Sequence, residues 1–123
     1  MKITWIGHSC FKIEEGGYSI IIDPYQDDCI PGLAPVREKA NEVLKSHEHD
    51  DHNAVDNVEI VKTVASPFKI TTIDTFHDEK NGTERGKNKI HIIETKTQRV
   101  AHLGDLGCEL TDEQMGQLYQ VDA

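Results

Sequence analysis

The segment His47-Glu48-His49-Asp50-Asp51-His52 constrains this chain more than any other, because four metal-ligating side chains fall within six residues. A strand is expected over residues 42–46, and strand geometry sends alternate side chains to one face. His47 and His49, two apart where that strand ends, therefore project their imidazoles to the same side. Two nitrogens so placed reach one ion, at about 2.0–2.1 Å if it is zinc. Asp51 and His52 follow as the chain turns away, and can hold a second ion from the other side. Imidazole and carboxylate donors without thiolates suit Zn2+, Mn2+ or Fe2+ about equally well on softness alone, and Zn2+ is the expected ion. The plain alternative, a solvated acidic loop rich in histidine, leaves this concentration of donors at a strand end unexplained.

Cysteine usage agrees with a site free of thiolates. Cys10, Cys29 and Cys108 are odd in number and show no CxxC spacing, which excludes a disulfide framework and a thiolate zinc site. A formal net charge of −9 repels phosphate backbones at long range, so nucleic acid is not the expected partner. With 123 residues, 37% hydrophobic and 28% charged, the chain has the composition of one globular domain. No apolar run approaches a membrane span, and the start Met1-Lys2-Ile3-Thr4-Trp5 reads as a strand and not as a signal peptide. A cytoplasmic location is expected.

Periodicity predicts a mostly β chain. Ile3 and Trp5, then Phe11 and Ile13, alternate as in half-buried strands. Gly16-Gly17 supplies a turn before a nearly continuous apolar strand over residues 18–23, which ends on Asp23. Residues 24–37, with Pro24, Pro31, Gly32 and Pro35, read as a loop. One helical turn is expected within residues 53–60, then strands over 61–66 and 69–76. A charged loop over 78–88 leads to a hairpin of residues 89–95 and 99–103. Thr111 and Gln114 form a capping-box pattern, so a helix should run to about Tyr119. Val121-Asp122-Ala123 looks like the start of a further strand. The sum is about eight strands with one or two helices.

Two more candidate ligands sit at strand ends. His77 follows the strand over residues 69–76, and Asp105 occupies the turn Gly104-Asp105-Leu106-Gly107, where glycines let backbone crowd around an ion. His8 is a candidate for a supporting role, His102 for a structural one, and His91 is expected to point outward. Glu84-Arg85 reads as part of a solvated charged loop rather than as a contact for an anionic substrate.

These residues together resemble the metallo-β-lactamase superfamily. The HxHxDH segment at residues 47–52, Asp23, His77 and Asp105 occur in that family's order. The runs Ile6-Gly7-His8-Ser9-Cys10-Phe11, Ile22-Asp23-Pro24 and His102-Leu103-Gly104-Asp105 narrow the likeness. They are similar to a branch of small cytoplasmic metal-dependent hydrolases related to ascorbate-6-phosphate lactonases. The resemblance implies an α/β fold, an αββα sandwich with one or two metal ions at the sheet edge. It implies His47, His49 and His77 on a first metal, Asp51 and His52 on a second, Asp105 bridging, and Asp23 supporting the site by hydrogen bonds. The family's last histidine ligand, in a second αβ half, has no counterpart here. Residues 1–123 are thus expected to form a single domain that supplies mainly the first half of the sandwich. A truncated chain fits first. A natural half that pairs with a second copy to complete the sandwich comes next, and a decayed domain last.

The implied chemistry is hydrolysis of an ester, lactone or phosphodiester in a small-molecule substrate by a metal-bound hydroxide. Asp51 would orient that hydroxide and take up the proton. The competing class is a metal-binding or interaction module that keeps the geometry without turnover.

Overall fold

The run Tyr18-Ser19-Ile20-Ile21-Ile22 is too uniformly apolar for a strand with one wet face. In the computed structural model, which describes residues 1–123, it is accordingly an inner strand whose three isoleucines are fully buried. The chain divides into two units, Met1–Pro67 and Phe68–Ala123.

In the first unit, β1 (Lys2–Gly7), β2 (Cys10–Glu15) and β3 (Tyr18–Ile22) form an antiparallel meander. β5 (Glu42–Leu44) then lies parallel to β3, giving the order β1-β2-β3-β5. A parallel neighbour requires a crossover, and residues 23–41 supply it. Within that crossover β4 (Glu38–Ala40) pairs in parallel with β6 (Val58–Ile60). One core lies over this sheet: Cys10, Ile21, Tyr25, Val36, Ala40 and Val58 are buried there, with Ile6, Leu33 and Val43 packed against them. Removing an aliphatic side chain of this size from water contributes about 1.5–3 kcal/mol. The crossover is pinned by the Tyr25 hydroxyl, which donates to the Ala34 carbonyl at 2.7 Å. Arg37 also grips both oxygens of Asp27, at 2.9 and 2.5 Å.

Three local expectations are corrected here. Ile3 and Trp5 do not line the buried face of β1; they are 45% and 63% exposed. Ile6, of the opposite parity, packs on the core, and the register shifts between Trp5 and Gly7. Alternation reveals that two faces differ, but on an edge strand it does not say which one is covered. Residues 61–66 form no strand; the ladder is carried instead by Val58–Ile60 and closes with the Val61 amide on the Ala40 carbonyl. β4 was unforeseen because Glu38-Lys39-Ala40 shows no apolar pattern. The single helical turn is present as a 3-10 turn, Val55–Asn57.

In the second unit, β7 (Lys69–Phe76), β8 (Lys87–Glu94) and β9 (Arg99–His102) form an antiparallel meander. Ile73, Ile90 and Ile92 form its core, with Ala101, Leu106, Leu110 and Leu118 packed on them. The helix α1 (Asp112–Gln117) starts with the expected capping box. Thr111 Oγ1 accepts from the Gln114 amide at 3.2 Å, and Gln114 Oε1 accepts from the Thr111 amide at 2.9 Å. The helix ends two residues sooner than expected, at Gln117. Asp122 and Ala123 lie alongside β9 through backbone bonds with Arg99 and Ala101. His91 is buried rather than outward, 3.2 Å from Thr72 Oγ1, because β8 is covered on both faces. No helix is long and apolar enough to cross a membrane.

Candidate metal centre

The first-unit site grows from the paired ends of β3 and β5. The Asp23 amide bonds to the Leu44 carbonyl at 2.9 Å, which sets the residue after β3 beside the residues that follow β5. Asp23 sits at φ 52 and is fully buried. Its Oδ1 accepts from the Ser46 amide at 2.6 Å, and its Oδ2 accepts from Ser46 Oγ at 2.6 Å and His52 Nδ1 at 2.7 Å. An ionised carboxylate only accepts, so His52 carries its proton on Nδ1 and the Ser46 hydroxyl proton points at Asp23. The Ser46 oxygen is then the acceptor for His47 Nδ1, 2.8 Å away. One carboxylate thereby fixes both imidazoles in the same tautomer, leaving the lone pairs on the buried Nε2 atoms.

The HxHxDH segment converges as expected, but by a different device. β5 ends at Leu44, so strand alternation does not align His47 with His49. A turn does: the His52 amide bonds to the His49 carbonyl at 2.9 Å, and the Gln26 amide bonds to the Asp50 carbonyl at 2.8 Å. A Lys45–Glu48 ion pair lies at the same turn. The His47 ring lies 4.7 Å from that of His49 and 4.1 Å from that of His52, centroid to centroid. His47 is buried and His49 exposed, so the group opens toward solvent.

Two sets of ligand atoms lie within 4.8 Å of one another here: His8, Asp51 and His52, and Asp23, His47 and His52. Asp23 already accepts from three donors, which suits support better than ligation. His8, at φ 50, reaches Asp51 Oδ2 with Nε2 at 3.0 Å, and its carbonyl accepts from Trp5 Nε1 at 2.8 Å. Partial burial alone would raise the Asp51 carboxyl. The neighbouring imidazoles, His52 first and then the hydrogen-bonded His8, outweigh it and hold Asp51 below the usual carboxylate range. Convergent imidazoles with fixed tautomers beside an ionised carboxylate fit a divalent cation. Thiolates play no part: all three cysteines are free, and burial, with Asp23 and Glu38 adding to it, pushes the Cys10 thiol up to about 12.

The second unit carries the other two expected residues. His77, the residue after β7, places Nε2 2.9 Å from Asp105 Oδ2. Asp105 is held by a residue that sequence reasoning missed. Asn88 is 1% exposed; its Oδ1 accepts from the Asp105 amide at 3.0 Å, while its Nδ2 donates to the Leu103 carbonyl at 2.9 Å and Thr75 Oγ1 at 3.0 Å. The available signal was a lone amide at the head of an apolar strand. Gly107 closes the arrangement, its amide on the Phe76 carbonyl at 3.0 Å. His102 takes the structural role expected of it, with Nδ1 3.2 Å from the Gly104 amide.

Next to His77, the Asp78 carboxylate gathers the backbone amides of Lys80, Gly82, Glu84 and Arg85 at 2.7 to 3.1 Å. These bonds, that from Arg85 foremost, outweigh its burial and hold Asp78 down to about 2. Its stabilisation is therefore fully present above the ordinary value of 3.8 and is lost as pH falls from there toward about 2. Asp78→Asn puts an amide donor against two of the four N–H groups and removes the titration. The urea midpoint of the variant is expected below that of wild type at pH 7, with the gap shrinking between about pH 4 and pH 2. A gap constant across that window would contradict this assignment.

Three sheets with few helices, and a histidine–aspartate cluster at the ends of two parallel strands, define a metallo-β-lactamase-like fold. The chain belongs to the beta-lactamase superfamily domain family, whose model matches residues 2–123. A UPF0173 metal-dependent hydrolase of Pyrobaculum arsenaticum is 25% identical over 156 residues, covering 99% of this chain and 69% of the relative. A UPF0173 protein of Pyrococcus abyssi is 48% identical over 52 residues, 42% of this chain and 23% of its own length. Among solved structures, a Thermotoga maritima protein assigned to the Zn-dependent hydrolases of the metallo-beta-lactamase superfamily matches with a TM-score of 0.67 and 34% identity. That match covers 98% of this chain and 57% of the other.

Proposed function

We propose that this chain belongs to a metal-dependent hydrolase that cleaves an ester, lactone or phosphodiester bond in a small-molecule substrate. The observation that carries the reading is the Asp23 clasp, which orients His47 and His52 as ligands, with the ionised Asp51 alongside. The names of the relatives, metal-dependent hydrolases, support it. His47, His49, Asp51 and His52 are the proposed ligands in the first unit. His77 and Asp105 are proposed as further ligands on the strength of the family resemblance. Zn2+ is the proposed ion.

A bound divalent cation supplies Lewis acidity, lowering the pKa of water and polarising the group to be cleaved. The chain's own residues do the rest. Asp51, kept ionised, accepts the proton released as water attacks, and His8 holds its carboxylate in place through Oδ2. Asp23 keeps the Nδ1 protons of His47 and His52 where they are, so neither ring can swing its Nε2 away.

Replacing His47 and His49 together with alanine should reduce the metal content of purified protein to background and remove turnover of ester, lactone and phosphodiester probes. Unchanged metal content in that variant would end this reading. Asp51→Asn is expected to lower kcat about 10²- to 10⁴-fold, the usual range for loss of a positioned acid–base group. A kcat within threefold of wild type would remove Asp51 from that role.

A further inference from the structure

The sequence offers three arginines, and two of them are spent inside the fold. Arg37 is held by both oxygens of Asp27. Arg99 is held by Glu94 and by the carbonyls of Gln117 and Tyr119. The guanidinium of Arg85 engages no carboxylate, in a chain where acidic residues outnumber basic ones by 22 to 13. Its position sharpens the contrast. Arg85 lines a cavity of about 500 Å³ in the second unit together with His77, Leu103, Asp105 and Gly107, a volume within the range of small-molecule sites. A neighbouring hollow of about 260 Å³ shares His77, Arg85 and Gly107, so Arg85 borders both.

We propose that Arg85 recognises an oxyanion, a phosphate or carboxylate group, on the substrate of this site. The proposal rests on the hydrolase reading above and names the substrate class that reading leaves open. The loop is built to present this residue. The Arg85 amide is fixed on Asp78 Oδ2 at 2.7 Å, and the amide of Gly86 on the Gly82 carbonyl at 3.1 Å. The backbone of Arg85 is therefore pinned where the residue lines the cavity, so binding has only the side chain left to order. Among the cations lining the two hollows Arg85 is the one that no carboxylate holds, and Glu79 is an acidic neighbour in the smaller hollow. Lys80 is taken by Glu84 at 2.8 Å, the Asp78 oxygens are taken by backbone amides, and the Asp105 carboxylate bonds His77. At a net charge of −9 the chain as a whole repels an anion, and a local guanidinium fork reverses that at one point, matching two oxygens at once.

The test is a titration of the metal-loaded full chain with inorganic phosphate, and separately with acetate, followed through the Arg85 Nε–H resonance and by calorimetry. Wild type, Arg85→Gln and Arg85→Lys are compared. Arg85 is exposed, so these variants are expected to fold, and an unchanged circular dichroism spectrum checks it. Binding at least 10-fold weaker in R85Q, with R85K intermediate and the Nε–H resonance shifting in wild type, supports the proposal. Phosphate dependence alone selects a phosphorylated substrate, and acetate dependence alone selects a carboxylate. Equal affinity for both probes in wild type and R85Q overturns it. A second arm compares an ester bearing an oxyanion with its neutral analogue. R85Q should raise KM for the charged ester at least 10-fold more than for the neutral one, and an equal effect on both also overturns the proposal. If phosphate binding depends on Arg85 while no ester is cut by wild type, the hydrolase reading fails and oxyanion recognition stands.

Discussion

Asp23→Ala is expected to destabilise the chain by about 3–5 kcal/mol, the usual cost of removing one partner from a buried charged network, and to weaken metal binding about 10- to 100-fold. The Ser46 amide, the Ser46 hydroxyl and His52 Nδ1 would each lose their acceptor in a site closed to solvent. Both imidazoles would then be free to change tautomer. Asp23→Asn separates the two effects. Asparagine tolerates the positive φ of 52 and nearly fills the same volume, but it brings a donor where only acceptors serve. Urea unfolding and competition with a chelator of known affinity measure both losses. A D23A protein with wild-type metal affinity would show that the clasp does not orient the ligands.

The second large effect is expected at Gly107. A Cβ added there would stand 2.3 Å from both the carbonyl carbon and oxygen of His77 and 2.7 Å from the Asp78 amide. These are backbone atoms, so no rotamer relieves the clash and the turn over residues 103–107 must move. Gly107→Ala is expected to cost about 1–3 kcal/mol or more, to raise amide exchange at Phe76, His77 and Gly107, and to impair turnover by displacing Asp105. Gly116→Ala is the control. It meets nothing within 4 Å and lies inside α1, where alanine is favoured by about 1 kcal/mol, so the same substitution should stabilise. Equal and small effects at both positions would contradict the close approach at Gly107.

The histidine–aspartate cluster was legible because its residues lie within one six-residue segment, and a local turn suffices to bring them together. The reason given for their convergence was not the one the structure uses. Strand alternation was inferred for His47 and His49, whereas β5 stops at Leu44 and a turn on the His49 carbonyl gathers the rings. The supporting role of Asp23 was an implication of the family resemblance, carried by Ile22-Asp23-Pro24, since composition alone marks only a carboxylate closing an apolar strand. Asn88 could not be read in this way, because its four hydrogen bonds reach three residues 13 to 17 positions away, on β7 and in the turn beyond β9. The β4–β6 ladder was hidden for a similar reason. Three-residue parallel strands owe their existence to the crossover that places them, not to their own composition. Arg85 was read as a solvated loop charge, and only the pairing of the other two arginines and the shape of the cavity set it apart.

The proposed function requires a divalent ion held at the Nε2 edges of the histidines in residues 47–52. Crystals of the zinc-loaded chain, measured on both sides of the zinc absorption edge, test this directly. The expected result is an anomalous peak at bonding distance, about 2.0–2.1 Å, from His47 Nε2 and from a ring nitrogen of His49, with Asp23 outside the coordination sphere. A zinc peak confined to surface carboxylates, with His47 and His49 uncoordinated, would contradict the account.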